Sequence, residues 1–116
     1  MINASYPALS GVRAMAQKLG VTANNVANSN TDGFKKGRAV LTETVPSGVE
    51  VSAIEKIETS GAILSEEGAS ETRETSNVSL EEELVDLVAT QRAYTADLKA
   101  VKAEDELLGK LFDVLA

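Results

Sequence analysis

The sequence predicts a mainly α fold: heptad-patterned N- and C-terminal helices pair as an antiparallel coiled coil, with a short β-hairpin insert between them. Two observations carry this expectation. Small and apolar residues recur with alternating steps of three and four at both ends of the chain, the period of a helix seam. Between the ends lie two runs rich in Val, Ile and Thr about a Pro-Ser-Gly turn, which is the pattern of a hairpin.

The N-terminal helix belongs to residues 1–30. Its seam is Leu9, Val12, Ala16, Leu19, Ala23 and Val26, and alanine at alternate places lets a partner helix come close. Ser5 is placed to cap it and Pro7 falls where a first-turn proline is tolerated. Gly11 and Gly20 weaken it by roughly 1 kcal/mol each relative to alanine. Alone in water such a helix is marginal.

Residues 31–63 form a turn-rich loop and the hairpin insert. The hairpin strands are "RAVLTETV" and "VEVSAIEKIE". A lone hairpin is itself marginal, so it should pack on another element. Residues 64–78 are acidic, polar and nearly free of large apolar side chains, which reads as a solvated linker.

Residues 79–116 form the second helix. Ser79-x-x-Glu82 has the form of a capping box, and acids load the first turn. Leu80, Leu84, Leu87, Gln91, Tyr94, Leu98, Val101, Asp105, Leu108 and Phe112 then alternate to the end. Unbroken from Leu80 to Leu115, this helix is about 54 Å long. Gln91 and Asp105 interrupt the seam with polar groups, which cost stability and can fix register. The excess length of this helix asks for other copies or partners.

Composition excludes several functions. A net charge of −7 argues against a nucleic-acid partner, since binding a polyanion rests on Lys and Arg. With no His and no Cys, the usual general acid-base group and the thiol nucleophile are both missing. The chain therefore reads as no enzyme and as having no cofactor. Lys35, Lys36 and Arg38 cluster, but no Walker-type Gly-Lys-Ser/Thr follows. Glu66, Glu67, Glu71 and Glu74 match no EF-hand spacing, so no metal is expected. No apolar run reaches the length of a transmembrane helix, and the first residues lack the form of a cleavable signal peptide.

The two ends carry a resemblance. "ALSGVRAMAQKLGVTANNVANSNTDGFKKGR" is similar to the opening signature of the bacterial flagellar axial family, the rod, hook and hook-associated proteins. Its motif positions are Ala27, Asn28, Asn30, Thr31, Gly33 and Phe34. The C-terminal block resembles the family's closing helix, with "SNV" at 76–78, Glu82-Glu83, and Gln91-Arg92-Ala93-Tyr94.

The resemblance implies a small, proximal-rod-like structural subunit. It implies cytoplasmic synthesis, signal-peptide-independent export through the flagellar type III apparatus, and assembly into the periplasmic rod of the basal body. The implied partners are other rod and axial subunits, further copies of itself through the terminal helices, and the export apparatus. The assembly seam would be Leu9, Val12, Leu19, Val26, Leu84, Leu87, Tyr94, Leu98, Val101 and Leu108. A competing reading is a family paralogue that acts as an adaptor or chaperone for rod subunits or export components.

In this setting "NNVANSNTDGF" marks the end of the first helix. Asn28 and Asn30 suit left-handed backbone or the capping of orphan groups through their amides. Gly33 permits a sharp turn, and Phe34 is expected to fold back as an apolar plug on the helix pair. Arg92, one step off the seam, could pair with a carboxylate on a neighbouring subunit.

Overall fold

A computed structural model describes residues 5–116. Helix α1 (Ser5–Ala27) is followed by strands β1 (Gly37–Glu43) and β2 (Val49–Lys56), then β3 (Ile63–Ser65) and β4 (Thr72–Glu74), and helix α2 (Leu80–Leu115). The expected helix, hairpin and long helix are all present. Residues 1–4 lie outside the described residues, as does the Ser5 side chain on which the expected cap depends.

The two helices pack antiparallel. Gly11 lies against Asp97, and Asn25, two heptads further along α1, lies against Glu83, two heptads back along α2. The radius of gyration is 20.5 Å, against about 13 Å for a compact chain of about 100 residues. The molecule is a rod of 81 × 24 × 15 Å. No described helix is long and apolar enough to cross a membrane.

Strands β1 and β2 pair antiparallel with a bulge after Val40, where Ser52 is the extra residue. The Ser52 hydroxyl accepts a hydrogen bond from Thr42 Oγ1 at 2.8 Å and donates to the Val40 carbonyl at 3.3 Å. This satisfies a carbonyl that the bulge displaces from the ladder. The hairpin packs along α1, as a marginal hairpin must. At its tip the Ser10 hydroxyl accepts the Val49 amide at 3.1 Å and donates to the Pro7 carbonyl at 2.7 Å. Gly48, with φ +112°, fits there because a Cβ would stand 2.7 Å from Ser10 Oγ.

Two local expectations need correction, and one pair of alternatives is decided. Residues 64–73 are exposed as read, but 74–78 are half-buried, and the segment also carries the β3–β4 ladder, with Ile63 opposite Glu74 and Ser65 opposite Thr72. Three-residue strands lie below what composition signals. Ser79 is the residue before α2, but its side chain makes no cap hydrogen bond. It donates instead to the Glu81 carboxylate at 3.0 Å, so the Ser79/Glu82 capping box is not formed. Asn28 and Asn30 keep negative φ, and among the described residues only glycines, Gly33 included, have positive φ. The turn needed one left-handed residue, and the one without a Cβ supplies it.

Candidate interface: a polar joint and an outward apolar surface

The chemistry inside this molecule is concentrated where α1, β1 and α2 meet. Asn25, in the last turns of α1, is buried to 2% exposure. Its Oδ1 accepts the Gly37 amide at 2.9 Å, and its Nδ2 donates to the Gly37 carbonyl at 2.9 Å. The amide side chain thus pairs with both backbone groups of the first β1 residue, as a neighbouring strand would. Nδ2 also donates to Glu83 Oε2 at 3.2 Å. A buried carboxylate needs such a partner, because leaving it unpaired costs more than the hydrogen bond itself contributes.

A second asparagine closes the other side. Asn77 Oδ1 accepts the Lys36 amide at 2.7 Å, while its Nδ2 donates to the carbonyls of Ile57 and Thr59 at 2.7 and 2.8 Å. Its own amide donates to the Phe34 carbonyl at 3.2 Å. Asn77 therefore ties the entry to β1, the exit from β2 and the segment leading into α2. Phe34 is half-buried at this crossing.

Ion pairs ring the joint. Lys18 reaches Asp86 at 2.9 Å, and Lys36 reaches Glu82 at 3.0 Å. Lys35 bonds Glu74. That bond, with the Gly61 amide donating to the same carboxylate, holds the Glu74 carboxyl below the usual glutamate range. The basic cluster read from the sequence is thus largely spent on carboxylates of this chain.

The fully buried side chains of the helix pair are small or polar. Ala14 is the buried apolar residue among those described, and Thr22, Asn25, Glu83 and Thr90 are the buried polar ones. At Gly11 an added Cβ would stand 2.4 Å from Asp97 Oδ2, so only glycine permits this approach as built. The Thr90 hydroxyl is buried without a hydrogen-bond partner.

The seam residues named from sequence are distributed differently from this buried stripe. Val12, Leu19, Val26, Leu87, Tyr94, Val101 and Leu108 are half-buried, whereas Leu9, Leu84 and Leu98 are exposed. Gln91 and Arg92 are exposed, and among the described residues Arg92 makes no ion pair. Of the loop motif, Asn28 Nδ2 donates to the Asn24 carbonyl at 2.9 Å, which caps the helix end as expected. Thr31 Oγ1 bonds Asn28 Oδ1 at 3.1 Å. Ala27, Asn30 and Gly33 are exposed.

Asn25 and Asn77 are the residues that sequence reasoning passed over for this role. Asn77 stood inside the quoted "SNV", and Asn25 was one of four asparagines in a run read as the turning or capped end of the first helix.

Two long helices are thus joined by a polar clasp, with large apolar side chains left outside. The chain belongs to the flagellar basal-body rod protein family. Residues 6–35 match the family described as flagella basal body rod protein, and residues 69–114 match flagellar basal body rod FlgEFG protein C-terminal. Among curated proteins it is similar to the flagellar basal-body rod protein FlgG of Bacillus subtilis, 42% identical over 45 residues. It is also similar to FlgG of two Buchnera aphidicola strains, 50% identical over 38 residues in each. These matches cover 33–39% of this chain and only 15–17% of the relatives' length.

Proposed function

We propose that this chain is a structural subunit of the bacterial flagellar basal-body rod, small and proximal-rod-like. In this reading it leaves the cytoplasm through the flagellar type III export apparatus and polymerises in the periplasm with other rod subunits. Its terminal helices pair as an antiparallel coiled coil that neighbouring subunits complete.

One observation carries the reading. Ala14 is the one fully buried apolar side chain among the described residues, while Leu80, Leu84, Val85, Val88 and Leu98 of α2 stand exposed. At about 25 cal/mol per Å² of apolar surface buried, the stabilisation forgone inside the chain becomes available between chains. A folded monomer that ended its function as a monomer would have little use for such a surface.

The test is mass spectrometry of detergent-washed hook–basal bodies from the source organism. Peptides of this chain in near-stoichiometric ratio to known rod subunits are the expected result. Their absence, with the protein abundant in the cytoplasm, overturns the rod reading.

A further inference from the structure

Of the aspartates in this chain, Asp32 alone is followed by glycine. An Asp-Gly bond is chemically labile. Glycine has no Cβ to shield its amide nitrogen, which can attack the side-chain carboxyl carbon of the residue before it. Both residues are exposed in the turn between α1 and β1. Gly33 has φ +70°, and nothing lies within 4 Å of where a Cβ would stand.

Two contacts hold the reacting groups, and both come from β4. The Gly33 amide donates to the Glu74 carbonyl at 2.9 Å. Asp32 Oδ2 accepts from Arg73 Nε at 3.3 Å. Ring closure needs the Gly33 nitrogen to give up its proton and the Asp32 carboxyl to swing onto that nitrogen. The first contact keeps the proton in a hydrogen bond, and the second holds the carboxyl at the guanidinium. Strand β4 is itself anchored, since the Glu74 carboxylate bonds Lys35 and accepts the Gly61 amide at 3.0 Å. The partners lie far apart in sequence, so both contacts exist only in the folded chain.

We propose that Asp32–Gly33 is a site of spontaneous aspartyl isomerisation, guarded by β4 in the folded chain and released whenever the chain unfolds. The Gly33 nitrogen bonds to Asp32 Cγ, and the carboxyl hydroxyl leaves with the amide proton as water, giving a succinimide ring. Water then adds back. Attack at Cγ restores aspartate, whereas attack at the backbone carbonyl carbon leaves isoaspartate. The main chain then runs through the β-carbon and is one methylene longer, and the α-carboxylate is free. Mass and oxidation state are unchanged, and water is the sole co-reactant. The added methylene displaces the Gly33 amide from the Glu74 carbonyl, so a chain that lingers unfolded is marked at the turn it needs in order to fold. The β3–β4 ladder thereby has a task beyond linking. The chemistry draws nothing from the rod reading.

The test holds the full chain for days in neutral buffer, either folded or in guanidinium chloride, before trypsin releases the Leu19–Lys35 peptide. Isoaspartate gives a second chromatographic peak of identical mass, placed at Asp32 by electron-transfer fragmentation. Deamidation of the asparagines in the same peptide is set apart by its change in mass. The isomer should accumulate at least about tenfold more slowly in the folded chain, because the turn must first open and break both contacts. Arg73→Ala alters an exposed pair, so its circular dichroism should match the wild type. It should isomerise several-fold faster than the wild type when folded, and at the same rate in denaturant. Equal rates in the folded and denatured wild type overturn the proposal. So does a denatured chain that forms no isomer, or a folded Arg73→Ala chain no faster than the wild type.

Discussion

The side chain of Asn25 holds both the amide and the carbonyl of Gly37 at 2.9 Å, so a helix residue serves as the strand partner of the first β1 residue. Through its third hydrogen bond, to Glu83, the same amide also fixes α2. Three elements meet on one functional group.

Asn25→Ala should therefore be among the most damaging single changes. It strands the Gly37 amide and carbonyl together with the Glu83 carboxylate, at about 1–3 kcal/mol for each orphaned group. A loss of about 3 kcal/mol or more is expected in urea unfolding followed by circular dichroism. Asn25→Leu, which keeps the volume, should not rescue it. A loss under about 1 kcal/mol would show that the joint holds without this amide.

Gly11 and Asp97 should show coupled behaviour. Gly11→Ala alone gains roughly 1 kcal/mol of helix propensity and loses it again in pushing the Asp97 carboxylate aside. Gly11→Ala with Asp97→Ala keeps the gain without the clash. The double variant should melt above the sum of the single effects, a coupling that a double-mutant cycle measures.

Thr90→Val keeps the shape and removes a buried hydroxyl that has no partner. Stabilisation of about 1 kcal/mol is expected, seen as a higher thermal midpoint. A lower midpoint would mean that the hydroxyl is satisfied in solution.

The Lys35–Glu74 pair sets a pH dependence. The Glu74 carboxyl is held below its usual value of 4.5, chiefly by the Lys35 hydrogen bond and then by the Gly61 amide. A depressed folded value means the contribution is full above about pH 4.5 and is lost as pH falls through the lowered value. Glu74→Gln should thus melt below the wild type at pH 7, with the gap closing toward pH 3. A gap independent of pH would assign the effect to packing instead.

Leu84→Glu tests the outward surface. Leu84 is 54% exposed, so the change should alter monomer stability by no more than about 0.5 kcal/mol. Incorporation into the rod should nevertheless be abolished, along with motility. A charge at Leu87 or Val101, both half-buried, should abolish assembly as well, at some cost to the monomer. Normal motility in a Leu84→Glu strain removes this surface from assembly.

Much of the architecture was legible in the sequence. Helix α2 was readable to its last residue because its heptads continue without a proline or a run of turn formers. The β1–β2 hairpin was readable from β-branched runs on either side of Pro46. The β3–β4 ladder was not, since three residues each, Ile-Leu-Ser and Thr-Arg-Glu, are too few to show an alternation. The Ser79 cap failed for a different reason, namely that its hydroxyl donates to the Glu81 carboxylate instead.

What the sequence determined by itself is the two helices, the β1–β2 hairpin and the family, because these reside in local pattern: helix period, strand composition, and motif text at the two ends. Which face of each helix turns toward the other was decided by the tertiary structure alone. Period shows that a helix has a stripe, and the larger apolar stripe is the natural guess for the buried one. Here Gly11, Ala14, Thr22 and Asn25 took the buried positions instead. The close approach at Gly11 and the amide pairing at Asn25 require groups that are small or able to hydrogen-bond, and leucine is neither. Those constraints exist only once β1 and α2 are both in place, so no window of residues 5–27 could have expressed them.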